Sequence, residues 1–190
     1  MKRRVVALTG TIGSGKSEVA RILRTWGYKT IDCDKLARQF ADSHDIVSQV
    51  EKLLGSDCVS NGKLNRPAIR ERVFKDDKLL KKYEQIFFNG VKQLLTQAVQ
   101  EADGEVVFVE IPVLDAFPFD FDEVWRIDAD KATQVNRVTA RDNVSAENVF
   151  EILGRQKRYG NVTRVIVNNG SLDELSAAVK KTLAESGFTK

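Results

Sequence analysis

The chain has 190 residues, 42% of them hydrophobic, which suits one folding unit with a buried core, with or without a small insertion. Its 30 basic and 27 acidic residues leave a formal charge of +3, too even a balance for a dedicated nucleic-acid binder. No apolar run approaches the roughly 20 residues of a membrane span, and Met1-Lys2-Arg3-Arg4 does not lead into a signal-peptide core, so a cytoplasmic protein is expected.

In chain order, Val5-Val6-Ala7-Leu8 reads as a buried parallel strand, and Val19, Ile22, Leu23 and Trp26 recur at helical spacing after it. Between them, Gly10-Thr11-Ile12-Gly13-Ser14-Gly15-Lys16-Ser17 fills every fixed position of the phosphate-binding loop motif, in the strand, loop, helix setting that it requires. Successive N–H groups of such a loop face one point, where the positive end of the helix adds its field, so an anion belongs there. Thr11 to Glu18 are expected to cradle a nucleoside triphosphate, with Lys16 on the β- and γ-phosphates and the Ser17 hydroxyl on Mg²⁺. A glycine-rich turn followed by an ordinary surface lysine is the bland alternative, and the complete motif at a strand end argues against it.

Gly27 suits a left-handed helix end, and Tyr28-Lys29-Thr30-Ile31 reads as a second strand delivering Asp32-Cys33-Asp34. Either aspartate can cap the next helix, but in an open parallel sheet ligands bind beyond the carboxyl ends of the strands, which makes Asp32 the candidate for chemistry. Asp34 is expected to cap a helix beginning near Leu36. Cys33 and Cys58 have no metal-ligand spacing and are expected to be reduced thiols.

From Lys35 to about Asp103 the pattern is helical, and this block is read as an inserted acceptor-binding subdomain, far larger than a crossover needs. Ile46, Val50, Leu53 and Leu54 form a stripe ending at Gly55, a turn falls at Asn61-Gly62, and Asn65 caps a helix with Pro67 in its first turn and Ile69, Val73 and Phe74 on its buried face. A long amphipathic helix then carries Leu80, Tyr83, Phe87, Val91, Leu94, Leu95, Ala98 and Ala102, interrupted at Gly90 and ending at Gly104.

The sheet resumes with Val106-Val107-Phe108-Val109, and Glu110 at its end is a candidate supporting acid for the metal. Val124-Trp125-Arg126-Ile127 is the next strand, and Asp128-Ala129-Asp130 caps a helix expected to expose Gln134, Arg137 and Arg141. Two guanidinium groups one turn apart can clamp phosphate oxygens and stabilise charge on the transferring group. A segment of about 140–160, capped near Ser145 and carrying Arg155, Lys157 and Arg158, reads as a lid. Val165-Ile166-Val167 is the last strand, Asn168-Asn169-Gly170 turns the chain beside the nucleotide, and Leu172, Leu175, Val179 and Leu183 mark the closing helix. The expected architecture is α/β, in three layers, with a five-stranded parallel sheet.

Over nearly its whole length the chain resembles the dephospho-coenzyme A kinases, P-loop kinases of nucleoside monophosphate kinase type. The likeness is carried by Ala7-Leu8-Thr9-Gly10 with the loop, Ile31-Asp32-Cys33-Asp34, Leu64-Asn65-Arg66 with Val73-Phe74, and Pro112-Val113-Leu114. It continues through Gln134 with Arg137 and Arg141-Asp142, Gln156, and Asn168-Asn169-Gly170. The resemblance implies ATP- and Mg²⁺-dependent phosphorylation of the ribose 3′-hydroxyl of dephospho-coenzyme A, with Asp32 orienting the hydroxyl and accepting its proton. Arg137 and Arg141 would close over ATP, Arg141 and Asn169 would flank the adenine, and the insertion would hold the acceptor; a monomer or weak homo-oligomer is expected. The chain departs from the family pattern at Thr11, at Asn89-Gly90 in place of His-Pro, at Asp115-Ala116, where the usual glutamate is absent, and in a shortened stretch after Gln156. Two other readings are another small-molecule or nucleotide kinase of this fold and an ATP-binding interaction module without catalysis. A binding module has no use for a hydroxyl-orienting carboxylate at Asp32.

Overall fold

The computed structural model describes residues 3–41, 43–73, 76–111, 119–156 and 161–188. Phe74, the segment from Pro112 to Ala116, Lys157 and Arg158 lie outside the described residues. The chain divides into two units, one of Met1–Ile31, Glu101–Asp115 and Asp120–Lys190, the other of Asp32–Gln100 and Ala116–Phe119.

In the first unit the apolar runs become parallel strands. β1 (Arg4–Thr9) lies between β5 (Val106–Glu110) and β6 (Glu123–Asp128), pairing Val6 with Phe108 on one side and Ala7 with Val124 on the other. With β2 (Lys29–Asp32) and β7 (Arg164–Val167) at the edges, the five-stranded order is β2-β5-β1-β6-β7. Val5 to Leu8 are buried without alternation, as expected for a strand covered on both faces. Helices α1 (Lys16–Thr25) and α8 (Leu172–Glu185) cover one face, packing Val19, Leu23, Leu175 and Val179 against Leu8, Phe108, Trp125 and Ile127. Each such side chain contributes roughly 1.5–3 kcal/mol on burial. α8 starts with a full capping box, in which Ser171 and Glu174 satisfy each other's main-chain N–H.

Glu123 is only 7% exposed, yet its charge is fully engaged: Oε2 accepts from Trp125 Nε1 and Ser186 Oγ, and Oε1 from Arg4 Nη2 at 3.1 Å. Arg4 also lies 4.6 Å above the Phe188 ring, tying β1, β6 and the end of the chain together. α6 (Lys131–Asp142) and α7 (Ala146–Arg155) follow β6, capped by Asp130 and Ser145, and pack Val135 and Val138 against Val149.

In the second unit, α2 (Cys33–Ala41) and α3 (His44–Leu54) lead to a 3-10 turn at Ser56–Cys58. The expected Asn61-Gly62 turn closes a short antiparallel hairpin, β3 (Val59–Ser60) with β4 (Lys63–Leu64), whose strands the helical reading of this block did not include. Then come α4 (Arg66–Val73) and α5 (Asp77–Glu101). Ile46, Val50, Leu54, Cys58, Ile69 and Val73 form the core, with Tyr83 and Phe87 packed on it.

Two expectations change here. α2 begins at Cys33, not near Leu36, and its cap is Asp32, whose Oδ1 accepts from Lys35 N at 3.0 Å; Asp34 sits in the first turn. Gly90 does not interrupt the long helix, because α5 runs unbroken from Asp77 to Glu101. A Cβ at Gly90 would lie 1.5 Å from Phe40 Cζ, so the glycine is the seat on which the aromatic ring of α2 rests. Close approach of two helices, and not a break in one, explains the residue.

Candidate functional site

The loop between β1 and α1 is built as an anion cradle. The N–H groups of Gly13, Gly15 and Ser17 have no partner among the described residues, while Ser14 N donates to Thr11 O and the Glu18 N–H donates to Gly15 O. Unpaired donors at the start of a ten-residue helix attract negative charge through both hydrogen bonding and the helix field. Lys16 Nζ donates to Gly10 O at 2.6 Å, arching the ammonium over the loop. Ser17 Oγ donates to Glu110 Oε1 at 2.5 Å, so the two residues expected at the metal, one in the first turn of α1 and one at the end of β5, are in contact.

Three amide side chains fix the loop from outside. Gln134, 1% exposed, donates through Nε2 to Thr11 Oγ1 at 2.5 Å and Ile12 O at 2.9 Å. Gln156, following α7, accepts the Ile12 N–H at 2.8 Å. Asn168, 5% exposed and following β7, donates to Ser14 O at 2.8 Å. The fit is close: a Cβ on Gly13 would stand 2.7 Å from Gln134 O, and one on Gly15 would stand 2.2 Å from Asn168 Nδ2.

Gln134 was expected on the exposed face of its helix and is instead buried; it lies four residues before Val138, on the stripe that faces the loop. Arg137, next to that stripe, does point inward: Nη1 donates to Asn168 O at 2.9 Å and Nη2 to Asn168 Oδ1 at 3.3 Å. Asn168 therefore joins the guanidinium of α6 to the phosphate loop. Arg141 points elsewhere, forming two 2.7 Å hydrogen bonds with its neighbour Asp142, which hold the Asp142 carboxyl below its ordinary range. Asn169 Oδ1 accepts from Asp130 N, while the Asp130 carboxylate caps α6, its pKa lowered chiefly by the Thr133 N–H. The Glu18 carboxylate is taken up by Arg21 on the surface of α1, leaving only its main chain at the loop. In the expected lid, Arg155 pairs with Glu151 along α7.

Asp32, the last residue of β2, spends Oδ1 on capping α2, and its Oδ2 has no hydrogen-bond partner among the described residues.

The model of the dephospho-CoA kinase family matches residues 4–174. The chain belongs to that family. A dephospho-CoA kinase of Thermus thermophilus is 34% identical over 196 residues, with 95% of this chain and 91% of the relative covered. A Thermus thermophilus crystal structure superimposes with a TM-score of 0.83 at 32% identity, covering 97% of this chain and 98% of that one. At 22% identity, the dephospho-CoA kinase of Campylobacter jejuni shares the fold, with a TM-score of 0.59 over 96% of this chain and 97% of its own. As a dephospho-CoA kinase, the chain is a phosphotransferase that uses ATP to convert dephospho-CoA to CoA. Among the described residues, no helix is long and apolar enough to cross a membrane.

Sequence reasoning placed Asn168 in a turn beside the nucleotide without giving it a part. Its geometry makes a sharp prediction for this dephospho-CoA kinase. Asn168→Ala removes the donor to Ser14 O and the Oδ1 acceptor of Arg137 Nη2 while keeping the main-chain oxygen that accepts from Nη1, whereas Asn168→Asp removes only the donor. Both variants are expected to weaken ATP binding about tenfold, the effect of leaving a buried carbonyl without its donor. Calorimetric titration with ATP checks this, and unchanged affinity in the Asp variant would show that the bond to Ser14 does not set the loop.

Proposed function

We propose that the chain transfers the γ-phosphoryl group of ATP to the ribose 3′-hydroxyl of dephospho-CoA, with Asp32 as the group that steers the hydroxyl. The N–H groups of Gly13, Gly15 and Ser17 receive the phosphates, and Lys16 leaves Gly10 O to meet the β- and γ-oxygens. Asp32 Oδ2 accepts the hydroxyl proton as the new O3′–P bond forms and the bond from γ-phosphorus to the β–γ bridging oxygen breaks, releasing ADP. Arg137, held by Asn168, offsets charge on the transferring group, and Arg141 closes over the nucleotide once it exchanges Asp142 for phosphate or base. Asn169, on the same turn as Asn168, borders the adenine. In this reading residues 35–103 hold the acceptor, residues 140–160 form the lid, and the whole is one kinase domain.

Ser17 and Glu110 fit Mg²⁺, since a hydroxyl and a carboxylate are the hard oxygen donors this ion takes, and they already meet. Held there, the ion would offset negative charge on the phosphates. Ser17 would supply an oxygen, and Glu110 would keep that hydroxyl oriented by accepting its proton in a hydrogen bond.

The observation that carries this reading is the row of loop N–H groups without a partner among the described residues, beside the Ser17–Glu110 contact. ADP release measured with a panel of acceptors tests it. Dephospho-CoA is expected to stimulate ATP consumption while shikimate, gluconate, nucleosides and nucleoside monophosphates leave it near the background. Stimulation by one of those and not by dephospho-CoA removes the acceptor assignment.

A further inference from the structure

Ile12 fills one of the positions that the phosphate-loop motif leaves free, so the chemistry of the loop does not account for its apolar side chain. Its packing does. Ile12 lies against the cluster of Val135 and Val138 from α6 with Val149 from α7, and the other two residues packed on that cluster, Ala146 and Leu153, belong to α7. The loop thus sends one side chain into the contact between two helices.

The main chain of the same residue is held twice. Ile12 O accepts from Gln134 Nε2 at 2.9 Å, and the Ile12 N–H donates to Gln156 Oε1 at 2.8 Å. Because peptide units are planar, these two bonds fix the planes on either side of the Ile12 Cα. The second plane also contains the N–H of Gly13, the first of the loop donors without a partner among the described residues, so its aim is set from outside the loop.

The two holds differ in firmness. Gln134 is 1% exposed and donates to Thr11 Oγ1 as well, and a Cβ on Gly13 would stand 2.7 Å from Gln134 O and 2.9 Å from Val138 Cγ2. Buried contacts therefore fix α6 to the loop. Gln156 is exposed and directly follows Arg155, the last residue of α7, with its own N–H closing that helix on Ile152 O. A single hydrogen bond in contact with solvent joins the end of α7 to the loop.

We propose that Gln156 is a positioning residue that couples ATP binding to the docking of α7. Acting through Ile12, it aims the Gly13 N–H at the phosphates, and phosphates held there steady α7 in return. Coupling free energies are reciprocal, so the factor by which the Gln156 bond tightens ATP binding equals the factor by which ATP steadies α7. This rests on the loop as the ATP site and not on the choice of acceptor.

Hydrogen exchange at saturating ATP, compared with exchange in its absence, tests the coupling in the unaltered chain and in Gln156→Met. Met has nearly the reach of Gln but no strong acceptor, so the bulk stays and the hydrogen bond goes. In the unaltered chain ATP is expected to slow exchange at the loop amides and along α7. In Gln156→Met, calorimetry is expected to show ATP binding weakened about fivefold, the effect of one lost hydrogen bond, with the slowing in α7 reduced by the same factor. Slowing in α6, which Gln134 holds, is expected to stay as it was. Gln156→Glu keeps an oxygen for the Ile12 N–H and should restore the slowing in α7 at saturating ATP, whatever its charge does to affinity. A change in ATP affinity without one in α7, the reverse, no change in either, or an equal change in α6 overturns the proposal. Failure of the ATP site reads differently: if ATP slows no loop amide in the unaltered chain, the loop is not its site and the coupling goes with it, whereas loop slowing that leaves α7 unaffected removes the coupling alone.

Discussion

Asp32→Asn is expected to lower turnover with ATP and dephospho-CoA by about 10²-fold or more, the range that general-base catalysis supplies, with ATP affinity changed by no more than a few fold. The substitution separates two parts that one carboxylate plays. Asn retains an oxygen for Lys35 N and is itself a favoured capping residue, so α2 keeps its start. What it loses is the second oxygen, Oδ2, the atom without a partner among the described residues. An amide NH₂ there can neither accept a proton nor hold a hydroxyl by its hydrogen. Asp32→Ala removes the cap as well, and its thermal unfolding should show a further loss of about 1 kcal/mol. Steady-state ADP release measured beside ATP calorimetry decides the matter. Full turnover in the Asn variant would leave Asp32 as a helix cap and nothing more.

The fold was legible because its signals were local and strong. Val5 to Leu8 and Val106 to Val109 are apolar runs that only a doubly covered strand explains, and each became a neighbour in the sheet. The loop motif was legible for the same reason, since its spacing encodes a local backbone shape. The hairpin at Asn61-Gly62 was read only as a turn, its flanking strands being two residues each and too short to show alternation. Gly90 was misread because a glycine in a helix looks like a break unless the ring that occupies its missing side chain is known, and Phe40 is fifty positions away.

At the site the pattern repeats. Ser17 and Glu110 could be placed from strand order, because the loop before Ser17 leaves β1 and Glu110 ends the neighbouring parallel strand β5. Gln134 could have been placed from its register four residues before Val138, had its amide not suggested solvent. The work of Asn168 had no local signal at all. Its donation to Ser14 O spans 154 residues and exists because β7 lies beside β6, which lies beside β1. The polar groups that hold a site in shape are set by tertiary neighbours, while the groups that meet substrate are set by motifs.

That dependence on neighbours gives the other large effect. Gly15→Ala is expected to weaken ATP binding by at least about 30-fold, whereas Gly104→Ala, with nearly the same φ, leaves it unchanged. The φ angles are +97° at Gly15 and +91° at Gly104, so either alanine incurs a left-handed strain of about 1–2 kcal/mol. At Gly104 nothing lies within 4 Å of the new methyl group, and strain is the whole effect. At Gly15 the methyl group meets Asn168 Nδ2 at 2.2 Å, and the Arg137 Nη1 lies 3.9 Å away. Moving the buried amide breaks its bond to Ser14 O and loosens Arg137, which costs about another 1–3 kcal/mol. The two costs together amount to about 2–5 kcal/mol, and because both fall on the loop they fall on the phosphate cradle. Thermal unfolding should register a loss in both variants and ATP titration a loss in only one. Equal ATP affinity in the two would mean that the amide of Asn168 yields freely and that the loop takes its shape from its own sequence.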